Sequence, residues 1–273
     1  MLQAASSWSN HAFNQVPDSQ NRIHSDDMAE AYGYTGALVP GVTVSAYLIH
    51  PAVVAWGADW LSRGHAHVTI KSPLYDHGRF DVVAGPDADG YSAELRSEDR
   101  LCAVAEVSLP AAPPPAPLRR GDPLLADGHK PPAATRAHFE ALRDNGCAAA
   151  PFRWSAEHPM ATYLREADAL PALLRTDAAA GSGYANAAFL LGCGNWHFAS
   201  VAQMNPWIHL ETRSWNYAPL LLGTPLVSEM TVVDLFERKG HEFADCRFHL
   251  FRADTDECVF VNEQRAIYRM RQV

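Results

Sequence analysis

Cysteine is scarce: Cys102, Cys147, Cys193, Cys246 and Cys258 make an odd set with no CxxC spacing, which argues against a disulfide framework and against a zinc knuckle. Basic residues are also in short supply. Lys plus Arg number 22 against 31 Asp plus Glu, a net charge of -9, and such a surface repels a polyphosphate backbone, so no nucleic acid is expected as a partner. An anionic small ligand would need Arg and Lys gathered locally against that sign. Residues 1–10 lack the basic start and apolar stretch of a secretory signal, and no lipidation motif follows. With the unpaired thiols, a reducing, cytoplasmic compartment is the expectation. A long unbroken apolar run is missing too: Val42 to Leu61 nears the length of a membrane span, but Ser45, His50, Pro51, Gly57 and Asp59 interrupt it. It reads as a buried helix, and no membrane is expected as a partner.

What the chain does have is size and apolar content, 273 residues at 48% hydrophobic, enough to build a core without metals or disulfides. Proline concentrates in Pro110-Ala111-Ala112-Pro113-Pro114-Pro115-Ala116-Pro117, which can only run extended. The expected organisation is therefore an N-terminal unit at 1–112, a linker at 113–123 and a C-terminal unit at 124–273. Strict alternation of Leu101, Ala103, Ala105, Val107 and Leu109 marks a half-buried strand. Further strands are expected near Trp8 to Val16, His65 to Val83 and Tyr91 to Ser97, and after the linker at Pro151 to Trp154, Trp207 to Tyr217, Pro225 to Glu237, His241 to Arg252 and Glu257 to Met270, with Lys239-Gly240 as a hairpin turn. Thr135 to Asn145 predicts a surface helix and Asn186 to Asn205 a second apolar one. Each half repeats one plan, a buried helix followed by long antiparallel strands, which predicts an α+β fold of two packed copies.

The stretch richest in chemistry runs from Asn21 to Val42. Ser25 reads as the N-cap of a short helix, with Asp26 and Asp27 in its first turn and Gly33 as its end, which leaves His24 on the loop before it. Pro40-Gly41 then opens the long apolar helix, whose first N–H groups lack intrahelical partners and carry partial positive charge. A site between His24 and Gly41 would combine a general base with an oxyanion binder.

Asn21-x-Ile23-His24-x-Asp26, followed by Ala29-x-x-x-Gly33-Tyr34 and by Gly41 at the helix start, resembles the MaoC-like (R)-specific enoyl-CoA hydratases and dehydratases. The resemblance is dense over residues 21–50 and weaker in the C-terminal half, where it rests on strand style around Asp234 to His241. It implies a double hot-dog fold, two antiparallel sheets each wrapped round a buried helix, with the motif kept in the first half. It also implies addition of water across the 2,3 double bond of an enoyl-CoA, or the reverse, with no cofactor. His24 would carry the proton and the Gly41 N–H would polarise the thioester carbonyl, beside Pro40 and Val42. Asn21 would fix the loop, and Asp26 matches a further motif carboxylate. Where the family has its catalytic Asp, this chain has Ser19, and the nearest carboxylate is Asp18. Where the family commonly has His before the helix-opening Gly, it has Pro40. The alternative reading is a degenerate member that holds an acyl thioester without turning it over. A thioesterase would need a carboxylate on or beside the central helix, and Asp59 lies near that helix's far end.

Arg213, Arg238 and Lys239 are the candidates for holding coenzyme A phosphates, with solvated surface charge as the competing reading. His65 and His67 share a strand face but have no third ligand at recognisable spacing, so no metal is expected. Gly192-Cys193-Gly194 predicts close helix packing rather than a nucleotide fingerprint, and Cys193 reads as inert. Trp196, His197, Trp207 and Trp215 read as core and interface aromatics, some of them available to line an acyl tunnel. Hot-dog units usually pair; the two halves would satisfy this internally, and a homodimer is the further assembly to consider.

Overall fold

Alternating apolar residues at 101–108 form an internal strand of a five-stranded array in the first half. A computed structural model describes residues 3–19, 21–26, 29, 34–177 and 181–271. The first half holds β1 (Trp8–His11), α1 (Gly41–Arg63), β2 (His65–Ile70), β3 (Arg79–Asp87), β4 (Gly90–Ser97) and β5 (Arg100–Ser108). The second holds α2 (Arg136–Asn145), β6 (Ala150–Arg153), α3 (Ala187–Val201), β7 (Ile208–Asn216), β8 (Pro225–Arg238), β9 (His241–Arg252) and β10 (Cys258–Arg269). The region expected as one strand from His65 to Val83 is two, because Pro73 and the turn at His77-Gly78 separate β2 from β3. The short helix expected between Ser25 and Gly33 lies largely outside the described residues.

All pairings between these strands are antiparallel, in the order β1-β3-β4-β5-β2-β7-β10-β9-β8-β6. Each half supplies five strands, and β2 pairs with β7 from His65↔Trp215 to Thr69↔Glu211. The two wrapped sheets therefore run edge to edge as one, which leaves neither central edge open. Inside the curve, α1 packs against α3.

α1 is buried over Val42 to Val53, as a helix apolar on most sides must be. Its internal Pro51 has no N–H for the Tyr47 carbonyl one turn back, and the Trp8 indole N–H donates to that carbonyl instead, at 3.1 Å. The helix breaks at Gly57, which adopts φ 52°. In α3, the Asn186 side chain caps the Phe189 N–H at 3.1 Å. A Cβ on Gly194 would lie 2.8 Å from Asn262 Nδ2, so this glycine lets the helix sit directly on β10. The Lys239-Gly240 turn closes the β8–β9 hairpin with both residues at positive φ, 54° and 77°, the geometry of a two-residue turn matched to strand twist.

The proline-rich linker ends in a docked segment. Glu229, fully buried on β8, accepts from the backbone N–H groups of Arg120 at 2.8 Å, Gly121 at 2.7 Å and Asp122 at 3.1 Å. Removing it would orphan three amides, so Glu229→Ala is expected to lower stability by about 3 kcal/mol in urea melts. A loss under about 1 kcal/mol, the scale of an exposed pair, would show that the segment holds itself.

Candidate active site

Residues 34–40 are laid against the loop after β2: Leu38 bridges to Tyr75, and the Val39 N–H donates to the Leu74 carbonyl at 2.8 Å. This segment carries the chain into Pro40 and α1. A single 3-10 turn, Arg22–His24, docks on it, and the His24 Nδ1–H donates to the Leu38 carbonyl at 2.7 Å. That bond assigns the tautomer, leaving Nε2 with its lone pair and no partner among the described residues. Burial pushes the His24 pKa below 6.5, the carbonyl bond opposing only in part, so the ring is neutral at physiological pH.

At the start of α1, the N–H groups of Thr43 and Val44 both donate to the Pro40 carbonyl, at 2.9 and 3.0 Å. The N–H groups of Gly41 and Val42 have no acceptor among the described residues, as expected of a helix N-terminus. Pro40 supplies no donor and no side-chain cap, which keeps that end open to a ligand. The Val42 side chain is fully buried in the core and lines neither cavity, so only its N–H bears on the site.

Two cavities meet here. A cleft of about 1480 Å³ lies between the halves, bounded by Asp18, Ser19, Pro40, Trp196 and the segment around Asp127 to His129. An inner pocket of about 250 Å³ runs behind it among Leu38, Val44, Leu74, Leu210 and Ile267, with Gly41 and His209 in its wall. Asn21, His24, Asn195 and Trp207 line both, and so mark the junction. The cleft has room for an extended ligand, while the apolar inner pocket falls below the roughly 300–1,000 Å³ of a typical whole-ligand site and suits a short acyl group.

The sequence-predicted residues divide. His24 and Asn21 stand at the junction, and Gly41 lies in the wall of the inner pocket beside it. Asn21 holds the second half in place: its Nδ2 donates to the Trp207 carbonyl at 2.9 Å and its Oδ1 accepts from the Trp207 N–H at 3.2 Å. One N–H and one lone pair of its amide are used in this way, which gives it a positioning role at the wall of both cavities. The Ser19 hydroxyl accepts from the Asn21 N–H at 3.2 Å. Asp18 is exposed on the turn closed by Ser19 N–H to Val16 carbonyl, at the wall of the cleft. Asp26 is turned to another task, accepting from the Ala37 N–H at 2.7 Å, and lines neither cavity.

Arg213, Arg238 and Lys239 are not brought to the site. Arg213 is exposed beside Glu211, Asp245 and Arg247, in register with His67 on the neighbouring strand, because strand alternation turns it away from the buried Thr212 and Ser214. Arg238 and Lys239 sit exposed at the β8–β9 turn. Among the described residues no cluster of three metal-binding side chains occurs, and His67 instead meets Glu211 at 2.7 Å. All five cysteines are buried and unpaired, and burial raises the Cys193 thiol far above its ordinary range. Asp59 pairs with Arg63 at 3.0 Å and lines neither cavity. His197 is a core residue held by Ser228 and the Ala148 carbonyl, each at 2.9 Å, and Trp215 stacks by His65 outside the site.

Asn195 and His209 were not singled out by the sequence. The detectable signal was a polar side chain within the most apolar helix of the second half, and a histidine on the inward phase of β7.

One antiparallel sheet curled round two helices, with a cleft where its halves meet, defines a double hot-dog protein. Solved structures with this fold include the M. tuberculosis double-hotdog protein RV0216, at 15% identity over 97% of this chain and 96% of that one, TM-score 0.58. The dehydratase domain of M. tuberculosis PpsC, solved with C12:1-CoA, aligns at 12% identity over 95% and 92%, TM-score 0.54. A MaoC domain dehydratase from Chloroflexus aurantiacus aligns at 11% identity over 98% and 96%, TM-score 0.54. No protein-family model matches the chain, and no curated protein matches it.

Proposed function

We propose that this chain hydrates a short 2-enoyl-CoA, or dehydrates the corresponding 3-hydroxyacyl-CoA, in the cytoplasm. One observation carries the reading: a neutral imidazole with an unoccupied Nε2 and a helix start with unoccupied N–H groups border one cleft-to-pocket junction. The acyl group would enter the inner pocket and the carrier arm lie in the cleft, with the thioester carbonyl on the Gly41 N–H. Nε2 of His24 takes a proton from water as the water oxygen bonds to C3. The electron pair of the double bond moves toward the carbonyl, and the imidazolium returns the proton to C2. Donors aimed at the enolate oxygen typically contribute about 3–4 kcal/mol. The PpsC dehydratase domain, which shares the fold and was solved with an acyl-CoA, supports the ligand class.

A second reading, acyl-thioester binding without turnover, is favoured by one fact. Among the described residues no carboxylate is hydrogen-bonded to His24, and Asp26 is engaged elsewhere. Crotonyl-CoA decides between them. Loss of enoyl absorbance with formation of (R)-3-hydroxybutyryl-CoA is expected, with no release of free thiol. Release of CoA would mean thioester hydrolysis instead, and binding with neither product would mean the second reading.

A further inference from the structure

We infer that Asn195, from the half without the motif, is a second hydrogen-bond donor to the acyl thioester carbonyl, aimed into the junction by Thr212 and His209. The inference deepens the reading above and rests on its thioester-binding part.

The argument is an accounting of hydrogen bonds. His209 is buried against Gly41; a Cβ at position 41 would lie 3.1 Å from the His209 Cδ2, so the ring forms the wall beside the helix start. Burial lowers the His209 pKa to about 4, and a neutral imidazole has one donor and one acceptor nitrogen. Nε2 meets the Thr212 hydroxyl, and Nδ1 meets the Asn195 Oδ1 at 3.1 Å. Thr212 is almost fully buried, and its hydroxyl proton has no other acceptor among the described residues. Leaving that proton unpaired would cost about 1–3 kcal/mol.

The Thr212 O–H therefore donates to Nε2, the proton of the ring sits on Nδ1, and Nδ1–H donates to the Asn195 carbonyl oxygen. The Asn195 amide is thereby oriented, with its NH2 group directed away from His209. That NH2 has no acceptor among the described residues, yet it is not sealed in the core, for Asn195 lines both cavities. His209 thus spaces two donors, the Gly41 N–H on one side and the Asn195 NH2 on the other, around the place where a carbonyl oxygen would lie. Thr212 and His209 act through Asn195 and are positioning residues.

The test uses hexanoyl-CoA isotope-labelled at the carbonyl carbon, a saturated thioester that cannot be hydrated, followed by infrared difference spectroscopy. Binding to the wild type is expected to lower the carbonyl stretch, and Asn195→Ala to return it much of the way toward the free value. With crotonyl-CoA, the same variant is expected to lose about 10²-fold in kcat with little change in KM, the mark of a donor used in the transition state. Thr212→Val should move the nitrogen NMR signals of His209 away from the Nδ1–H form and reduce the carbonyl shift in step. An Asn195-dependent carbonyl shift in a protein that fails to hydrate crotonyl-CoA supports the donor and overturns only the hydratase reading. The same bound frequency in wild type and folded Asn195→Ala, or no binding of hexanoyl-CoA by the wild type, overturns the inference.

Discussion

Replacing His24 by alanine is expected to reduce kcat/KM for crotonyl-CoA hydration by about 10²–10⁴-fold, the range for loss of a positioned acid–base group. The effect should be this large because no other described imidazole at the junction can substitute: His209 has both ring nitrogens engaged, while His24 has one open. Fold stability should change far less, since the ring makes one hydrogen bond to the Leu38 carbonyl and sits only partly buried. The pH profile separates the roles further. His24 has its pKa held below 6.5 by burial, so the wild-type rate should stay level as pH falls to 6.5 and decline only beneath it, as the base becomes protonated. In the variant that acidic limb should disappear along with most of the rate. An unchanged rate in a folded His24→Ala protein would remove this imidazole from the chemistry.

The second large effect is on folding. Burial lowers the pKa of His50, His197 and His209 to about 4 each, against 6.5 for an ordinary exposed histidine. A native value below the unfolded one means that the unfolded chain binds protons first. The stability these neutral rings represent is fully present above pH 6.5 and is lost as pH falls toward 4. Each is worth roughly 3 kcal/mol across that window. Three together approach the roughly 5–15 kcal/mol total of a typical domain. Acid unfolding is therefore expected between pH 6.5 and 4, ahead of general carboxylate protonation. Urea titrations at intervals over this range should give a slope of about three protons taken up on unfolding. A slope below one proton near pH 5 would show that these rings are not held neutral.

Much of the fold was legible because long strands and helices announce their period. Leu101, Ala103, Ala105 and Val107 recur at every second position and fall in β5, with Cys102 buried on the other phase, and the apolar stretch from Val42 became α1. The expected starts of the two later helices, Thr135 and Asn186, are capping residues in the structure: Thr135 accepts from the His138 N–H and Asn186 from the Phe189 N–H, each at 3.1 Å. The joining of the halves was not readable, since which strand edge meets which depends on partners about 150 residues apart, such as His65 and Trp215. At the site, the motif marked His24 and Gly41, because local backbone chemistry puts a loop before a helix start. It marked Asp26 as a further carboxylate but not its partner, because the bond from the Ala37 N–H joins residues that meet only once the loop folds back. Arg213, Arg238 and Lys239 line neither cavity, and for Arg213 the reason is simple. Arg213 lies one position from the buried Thr212, and a strand reverses direction at every residue, so nearness in sequence meant opposite faces.

The β2–β7 join has one further consequence. Were the two halves separate identical chains related by a twofold axis, each substitution would appear twice, and a residue useful beside one site would have to be tolerated beside its mirror position. Fusion into a single sheet lifts that restriction. His24 and Asn21 need occur only in one copy, Asn195 and His209 only in the other, and asymmetry becomes the means by which unlike side chains face each other across a common wall.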